Sequence, residues 1–166
     1  MKYIFILIRG NSGSGKTALA NELHKYFGYK ECLVLHQGNI RRDILHADDH
    51  LGTPAIDLIR TLVSFGEDHY RIIVLEGILR KDVYGEMLLK LIKNFDNKAY
   101  VYYLDASFIS TIEYNQMKNK PFSILDLKKW WREDDYLNYQ EQCLSNGNIR
   151  TFLEKIVQDI TKNADL

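Results

Sequence analysis

Proline and cysteine are scarce in this chain: 2 of each, with only 10 glycines, among 166 residues. Collagen-like and low-complexity chains are therefore excluded. Cys32 and Cys143 stand far apart and are too few for a disulfide framework or a four-ligand zinc site. The setting that follows is a reducing one, and the expectation is a cytoplasmic protein. Neither sign of charge prevails, with 22 Lys+Arg against 22 Asp+Glu and a net charge of zero. That balance lacks the basic excess usual in nucleic-acid domains and argues against such a partner. No apolar run approaches the roughly 18 residues of a membrane span. The first run, Tyr3–Ile8, stops at Arg9 and is shorter than the core of a secretory signal.

What is present is 46% hydrophobic and 27% charged residues, the profile of a soluble globular chain. The length fits one domain, residues 1–166. A chain of this size buries roughly two thirds of its unfolded surface. Short runs rich in Ile, Val, Leu and Tyr (Tyr3–Ile8, Cys32–His36, Arg71–Leu75 and Ala99–Leu104) are apolar almost throughout. That pattern predicts strands covered on both faces, as in a parallel sheet. A weaker fifth strand is expected near Gln140–Leu144.

Helical stripes lie between the strands. Leu19, Leu23, Tyr26 and Phe27 share a face that stops at Gly28. Ala55, Leu58, Ile59, Leu62 and Val63 make a second stripe, with Thr53 as N-cap, Pro54 at the first helical position and Gly66 expected to end it. Tyr84, Leu88, Leu91, Ile92 and Phe95 form a third, and Ile149–Ile160 a closing helix. Strand and helix alternate to about residue 119, which predicts a doubly wound α/β fold. The stretch at about 115–137, with Pro121 and the pair Trp130-Trp131, breaks the alternation and reads as a lid-like excursion.

Directly after the first strand stands Gly10-Asn11-Ser12-Gly13-Ser14-Gly15-Lys16-Thr17, a complete GxxxxGK[ST] phosphate loop. Glycines let successive backbone N–H groups turn inward as an anion nest, and the helix that follows points its positive end at the phosphates. Lys16 is placed to reach the β- and γ-phosphates and the Thr17 hydroxyl to ligate Mg²⁺. Glu76, at the end of the third strand, suits the second metal-side carboxylate.

Beyond the second strand, Arg41 and Arg42 are candidates to hold an anionic group of the acceptor, since guanidinium binds oxyanions bidentately. Neighbours on a helix point about 100° apart, so one of the two is expected in the cleft. Arg80 is a similar candidate. Arg132 is a candidate to stabilise the transferring phosphoryl group, with Lys118 and Lys120 assisting. His46 and His50 stand at i, i+4 but lack a third ligand at a convincing spacing.

On the Gly10–Thr17 loop, the Gln37–Arg42 stretch, the Glu76-Gly77-Ile78-Leu79 strand end and the Trp130-Trp131-Arg132 segment, the chain resembles small P-loop kinases. The group is the zeta-toxin and chloramphenicol-phosphotransferase type, with its uridine-kinase-like relatives. The resemblance implies a five-stranded parallel sheet in the order 2-3-1-4-5, with helices on both faces. It further implies ATP or GTP with Mg²⁺, and a hydroxyl acceptor, nucleoside-like or nucleotide-sugar-like, opposite the phosphate loop.

Two departures accompany it. Such kinases commonly carry an aspartate just after the second strand as general base, and the matching position here is Gly38. They also tend to carry arginines on the helix after the fourth strand, where this chain has Glu113, Tyr114, Asn115 and Gln116. Slow transfer is therefore expected. A nucleotide-binding regulator without efficient transfer and a polynucleotide 5'-hydroxyl kinase are the rival readings.

Overall fold

The protein is described here from a computed structural model covering residues 3–163. Five parallel strands pair in the order β2-β3-β1-β4-β5. They are β1 (Ile4–Gly10), β2 (Cys32–His36), β3 (Ile72–Gly77), β4 (Ala99–Leu104) and β5 (Glu141–Leu144). Successive side chains of a strand point to opposite faces, and β1 therefore feeds two cores. Phe5 and Leu7 pack with α3 (Pro54–His69) and α4 (Lys81–Phe95). Ile4, Ile6 and Ile8 pack with α1 (Lys16–Phe27) and α7 (Ile149–Asn163). Full burial of each such side chain contributes roughly 1.5–3 kcal/mol.

Beyond the carboxyl end of β2, the short α2 (Gln37–Asn39) runs into a π-helical turn, Ile40–Ile44. After β4, α5 (Phe108–Gln116) and α6 (Ile124–Trp130) form the excursion that returns to β5. The register of β1 sets Ile8 beside Glu76 and Gly10 beside Leu104. The phosphate loop, Glu76 and the Leu104 end of β4 thus emerge at one edge of the sheet. That edge is where ligands of open parallel sheets bind.

Three boundaries differ from the sequence-based expectation. Helix α3 does not stop at Gly66 but continues to His69. Gly66 is a close-approach position: a Cβ there would lie 2.9 Å from Ile73 Cδ1 and 3.0 Å from Leu33 Cδ2, so the glycine lets the helix settle on the sheet. Strand β1 continues past Ile8 through Arg9 to Gly10, because Arg9 is fully buried and its charge is matched inside the protein. Strand β3 carries Glu76 within its buried length and does not release it at an exposed end.

Candidate active site

The loop from Gly10 to Gly15 turns as tightly as its glycines permit. Gly13 and Gly15 have φ of 80° and 95°, a left-handed backbone that side chains resist. A Cβ on Gly13 would also lie against the Thr111 carbonyl of α5. Gly15 is the N-cap of α1, so Lys16 and Thr17 begin the helix and present their side chains at its positive end. Lys16 is 7% exposed and curls back over the loop, donating to the Asn11 carbonyl at 2.7 Å and to Ser14 Oγ at 3.4 Å. Burial is the main reason its ammonium pKa is lowered to about 8; Glu76 opposes that shift, and Lys118 and Arg9 add to it.

Thr17 donates from Oγ1 to Glu76 Oε1 at 2.9 Å, and His36 Nδ1 lies 2.7 Å from the same oxygen. Glu76 is 4% exposed. Its burial works to raise the carboxyl pKa, but the His36 hydrogen bond, the Lys16 charge and the Thr17 bond outweigh it and leave the pKa lowered. The group is therefore a carboxylate that can only accept, so His36 Nδ1–H donates in this contact. No group of three or more His, Cys, Asp or Glu side chains could hold a metal among the described residues. A hydroxyl and a carboxylate oxygen in contact do suit Mg²⁺, which keeps several waters and uses one or two protein oxygens plus phosphates.

Arg41 and Arg42 part company on the π-helical turn. Arg41 turns away: Nη1 donates to the Ala47 carbonyl at 2.9 Å, and Nε, though not aligned for a hydrogen bond, is ion-paired with Asp49 at 3.3 Å. Asp49 also accepts from Tyr84, which in turn accepts from the buried Gln37 at 3.0 Å. Arg42 lies over Gly38, where a Cβ would stand 2.8 Å from its Nη2, and its Cζ sits 5.7 Å from the Phe122 ring centre. Arg80 is engaged elsewhere, gripping the Asp82 carboxylate through Nε at 3.0 Å and Nη2 at 2.6 Å.

The excursion is tied down at three places. Asn115 of α5 donates to the Phe122 carbonyl at 2.7 Å and accepts from the Phe122 N–H at 2.9 Å. Asn11 makes the same two-bond clamp on the backbone of Arg132. Arg9, 0% exposed, donates to the Asp135 carboxylate and carbonyl, to Glu141 and to the Leu79 carbonyl. Both tryptophans are half-buried, Trp130 edge-on to Phe122 and Trp131 edge-on to Phe108. Arg132 is exposed, and its charge helps hold down the pKa of Asp82, after that residue's stronger bond to Arg80.

Sequence reasoning missed Arg9, His36, Asn115 and the clamping role of Asn11. Arg9 had a signal, a charge inside an otherwise apolar strand. His36 and Asn11 act on residues remote in sequence, and the Asn115 clamp on Phe122, seven residues on, follows no periodic pattern.

No protein-family model matches the chain. No curated protein matches it either. Solved structures do resemble it. A gluconokinase from Sinorhizobium meliloti 1021 superposes with a TM-score of 0.64 at 15% identity, covering 99% of this chain and 95% of that one. The structure described as APE1195 gives 0.69 at 15% identity, over 97% and 96%. The APS kinase of Mycobacterium tuberculosis, in complex with AMPPNP and APS, gives 0.64 at 16% identity, over 96% and 98%. At these identities the likeness establishes the fold alone, a five-stranded parallel sheet of P-loop type with helices on both faces. Among the described residues no helix is long and apolar enough to cross a membrane.

Proposed function

We propose that this chain is an ATP-dependent phosphotransferase that moves the γ-phosphoryl group to a hydroxyl of a small molecule. The observation that carries the reading is the meeting of Lys16, Thr17 and Glu76 at the phosphate loop, with the Thr17–Glu76 contact at 2.9 Å. The kinases among the structural neighbours, one of them with AMPPNP and APS, support the same class.

In this reading Gly10–Thr17 holds the nucleotide through backbone N–H groups and Lys16. Thr17 and Glu76 hold Mg²⁺, with GTP as the alternative nucleotide. The metal, when bound, neutralises charge on the phosphate oxygens. The acceptor oxygen bonds to the γ-phosphorus while the bond to the β–γ bridging oxygen breaks, and the hydroxyl proton leaves to solvent or to a base. Arg132, held by its backbone near the loop, is assigned to the transferring group, and residues 115–137 act as the lid of a single domain.

A second reading, a nucleotide-binding regulator without efficient transfer, is favoured by one feature: Gly38 offers no carboxylate at the expected base position. Incubation with Mg²⁺·ATP and a panel of hydroxyl acceptors, followed by mass spectrometry, decides between them. One added phosphoryl group on an acceptor supports the kinase. Tight nucleotide binding with no product across the panel supports the regulator.

A further inference from the structure

The charged groups of Arg42 and Lys118 have no carboxylate within ion-pairing distance and no hydrogen bond among the described residues. Both converge on one ring. Arg42 Cζ lies 5.7 Å and Lys118 Nζ 5.0 Å from the centre of Phe122. They reach it from different elements, the π-helical turn after β2 and the loop after α5. Partial desolvation and then the charge of Arg42 hold the Lys118 pKa below its usual value, against the pull of Glu76.

The arrangement is solvent-exposed, so water screens the repulsion, and it offers an anion two cations at one place. It is also a built one. The Phe122 backbone is clamped at both polar groups by the buried Asn115, and Trp130 packs edge-on at 4.9 Å. Arg42 sits on a π-helical turn, a rare irregularity that clusters at functional sites.

Gly38 completes the argument. A side chain there would meet the Arg42 guanidinium, at 2.8 Å from its first carbon. A carboxylate at that place would neutralise Arg42 from within the protein. Glycine leaves the exposed arginine without a counter-charge from this position and open to an anionic ligand. Gly38 follows closely on His36, whose register partner in the sheet is Glu76, and Lys118 lies in the field of that carboxylate.

Resting on the kinase reading above, we propose that Arg42 and Lys118, set over Phe122 and Gly38, form the subsite for an oxyanion carried by the acceptor. The acceptor is then a hydroxyl compound bearing a phosphate, sulfate or carboxylate group. Guanidinium supplies the bidentate part of the contact and ammonium the point charge.

The test uses the protein saturated with Mg²⁺·AMPPNP, which closes the phosphate loop to other anions. Ribose 5-phosphate and gluconate are titrated by calorimetry against their neutral counterparts ribose and glucose. At least one anion binds saturably and at least tenfold more tightly than its neutral counterpart, and the preference shrinks with added salt. Arg42→Ala and Lys118→Ala each weaken that binding about tenfold or more, in proteins whose melting temperature is unchanged. Lys129→Ala, an exposed cation on α6, leaves it as it was. Equal affinity for charged and neutral probes, or variants that bind the anion like wild type, overturns the subsite while nucleotide binding stands. Failure to bind AMPPNP at all overturns the kinase reading and the subsite with it.

Discussion

The side-chain amide of Asn11 pairs with both backbone groups of Arg132, donating to its carbonyl at 2.7 Å and accepting from its N–H at 2.8 Å. A phosphate-loop residue thus fixes the chain at the far end of the excursion. The clamp acts on backbone, so it leaves the Arg132 guanidinium free to reach the cleft. Asn11→Ala removes both bonds, each contributing about 1 kcal/mol net. Hydrogen exchange at the Arg132 amide is expected to accelerate by about tenfold or more, while exchange in β1 and β3 stays unchanged. Equal protection of Arg132 in the two proteins would show that the clamp holds nothing.

Arg9 does for β5 and the 134–137 turn what Asn11 does for Arg132. Its guanidinium is fully buried, ion-paired with Asp135 at 2.9 Å and with Glu141 at 3.1 Å, and stacked 5.7 Å from the Tyr103 ring. Removing one side of a buried ionic network leaves uncompensated charge, at a cost of about 3–5 kcal/mol. Arg9→Met is expected to lower unfolding stability by that amount in urea titrations. A loss below about 1 kcal/mol would mean that Asp135 and Glu141 find other partners.

On the proposed function, the Lys16 ammonium, brought down to about 8 mainly by burial, is expected to make nucleotide binding pH-dependent. Bound phosphates favour its charged form, so the complex holds more protons than the free protein above pH 8. Binding is therefore expected to take up a proton near pH 8.5, and affinity to fall as pH rises from there. Calorimetry of AMPPNP binding in buffers of differing ionisation heat measures that uptake. Proton release at pH 8.5, or no exchange at all, contradicts the assignment.

Much of the fold was legible because its signals are local. Continuous apolar strands, helical stripes and the Gly10–Thr17 spacing each lie within a dozen residues. The Arg9–Asp135 and Asn11–Arg132 contacts are 126 and 121 residues apart in sequence, and no periodicity reports them. Gly66 read as a helix stop because glycine has the same letter whether it ends a helix or lets one settle on a sheet. The divergence of Arg41 from Arg42 was legible as a geometric necessity, but which one turned away depended on Asp49 and Ala47, residues in the following loop.

Gly38 separates two effects in one variant. Its φ is not left-handed, so a side chain is tolerated by the backbone once Arg42 shifts. Gly38→Asp adds a base worth typically about 10²–10⁴-fold and also a counter-charge for Arg42. The expected result is a split: kcat rises at least about tenfold, the low side of that contribution, while KM for an anionic acceptor rises as well. Gly38→Ala, whose Cβ also displaces Arg42 but brings no base, does not raise kcat. A Gly38→Asp protein with unchanged kcat and KM would place the acceptor away from β2.

The central claim is that Lys16, Thr17 and Glu76 assemble a phosphoryl-transfer site. It is tested most directly by single-turnover transfer from γ-labelled ATP in wild type, Lys16→Ala and Glu76→Gln, each over a range of Mg²⁺. Transfer is predicted to require Mg²⁺ and to fall on the order of a hundredfold or more in Lys16→Ala, the cost of losing a preorganised charged group. Glu76→Gln, which keeps shape and removes charge, is predicted to need more Mg²⁺ for half-maximal rate. Turnover and metal dependence that superimpose across the three proteins would contradict the account.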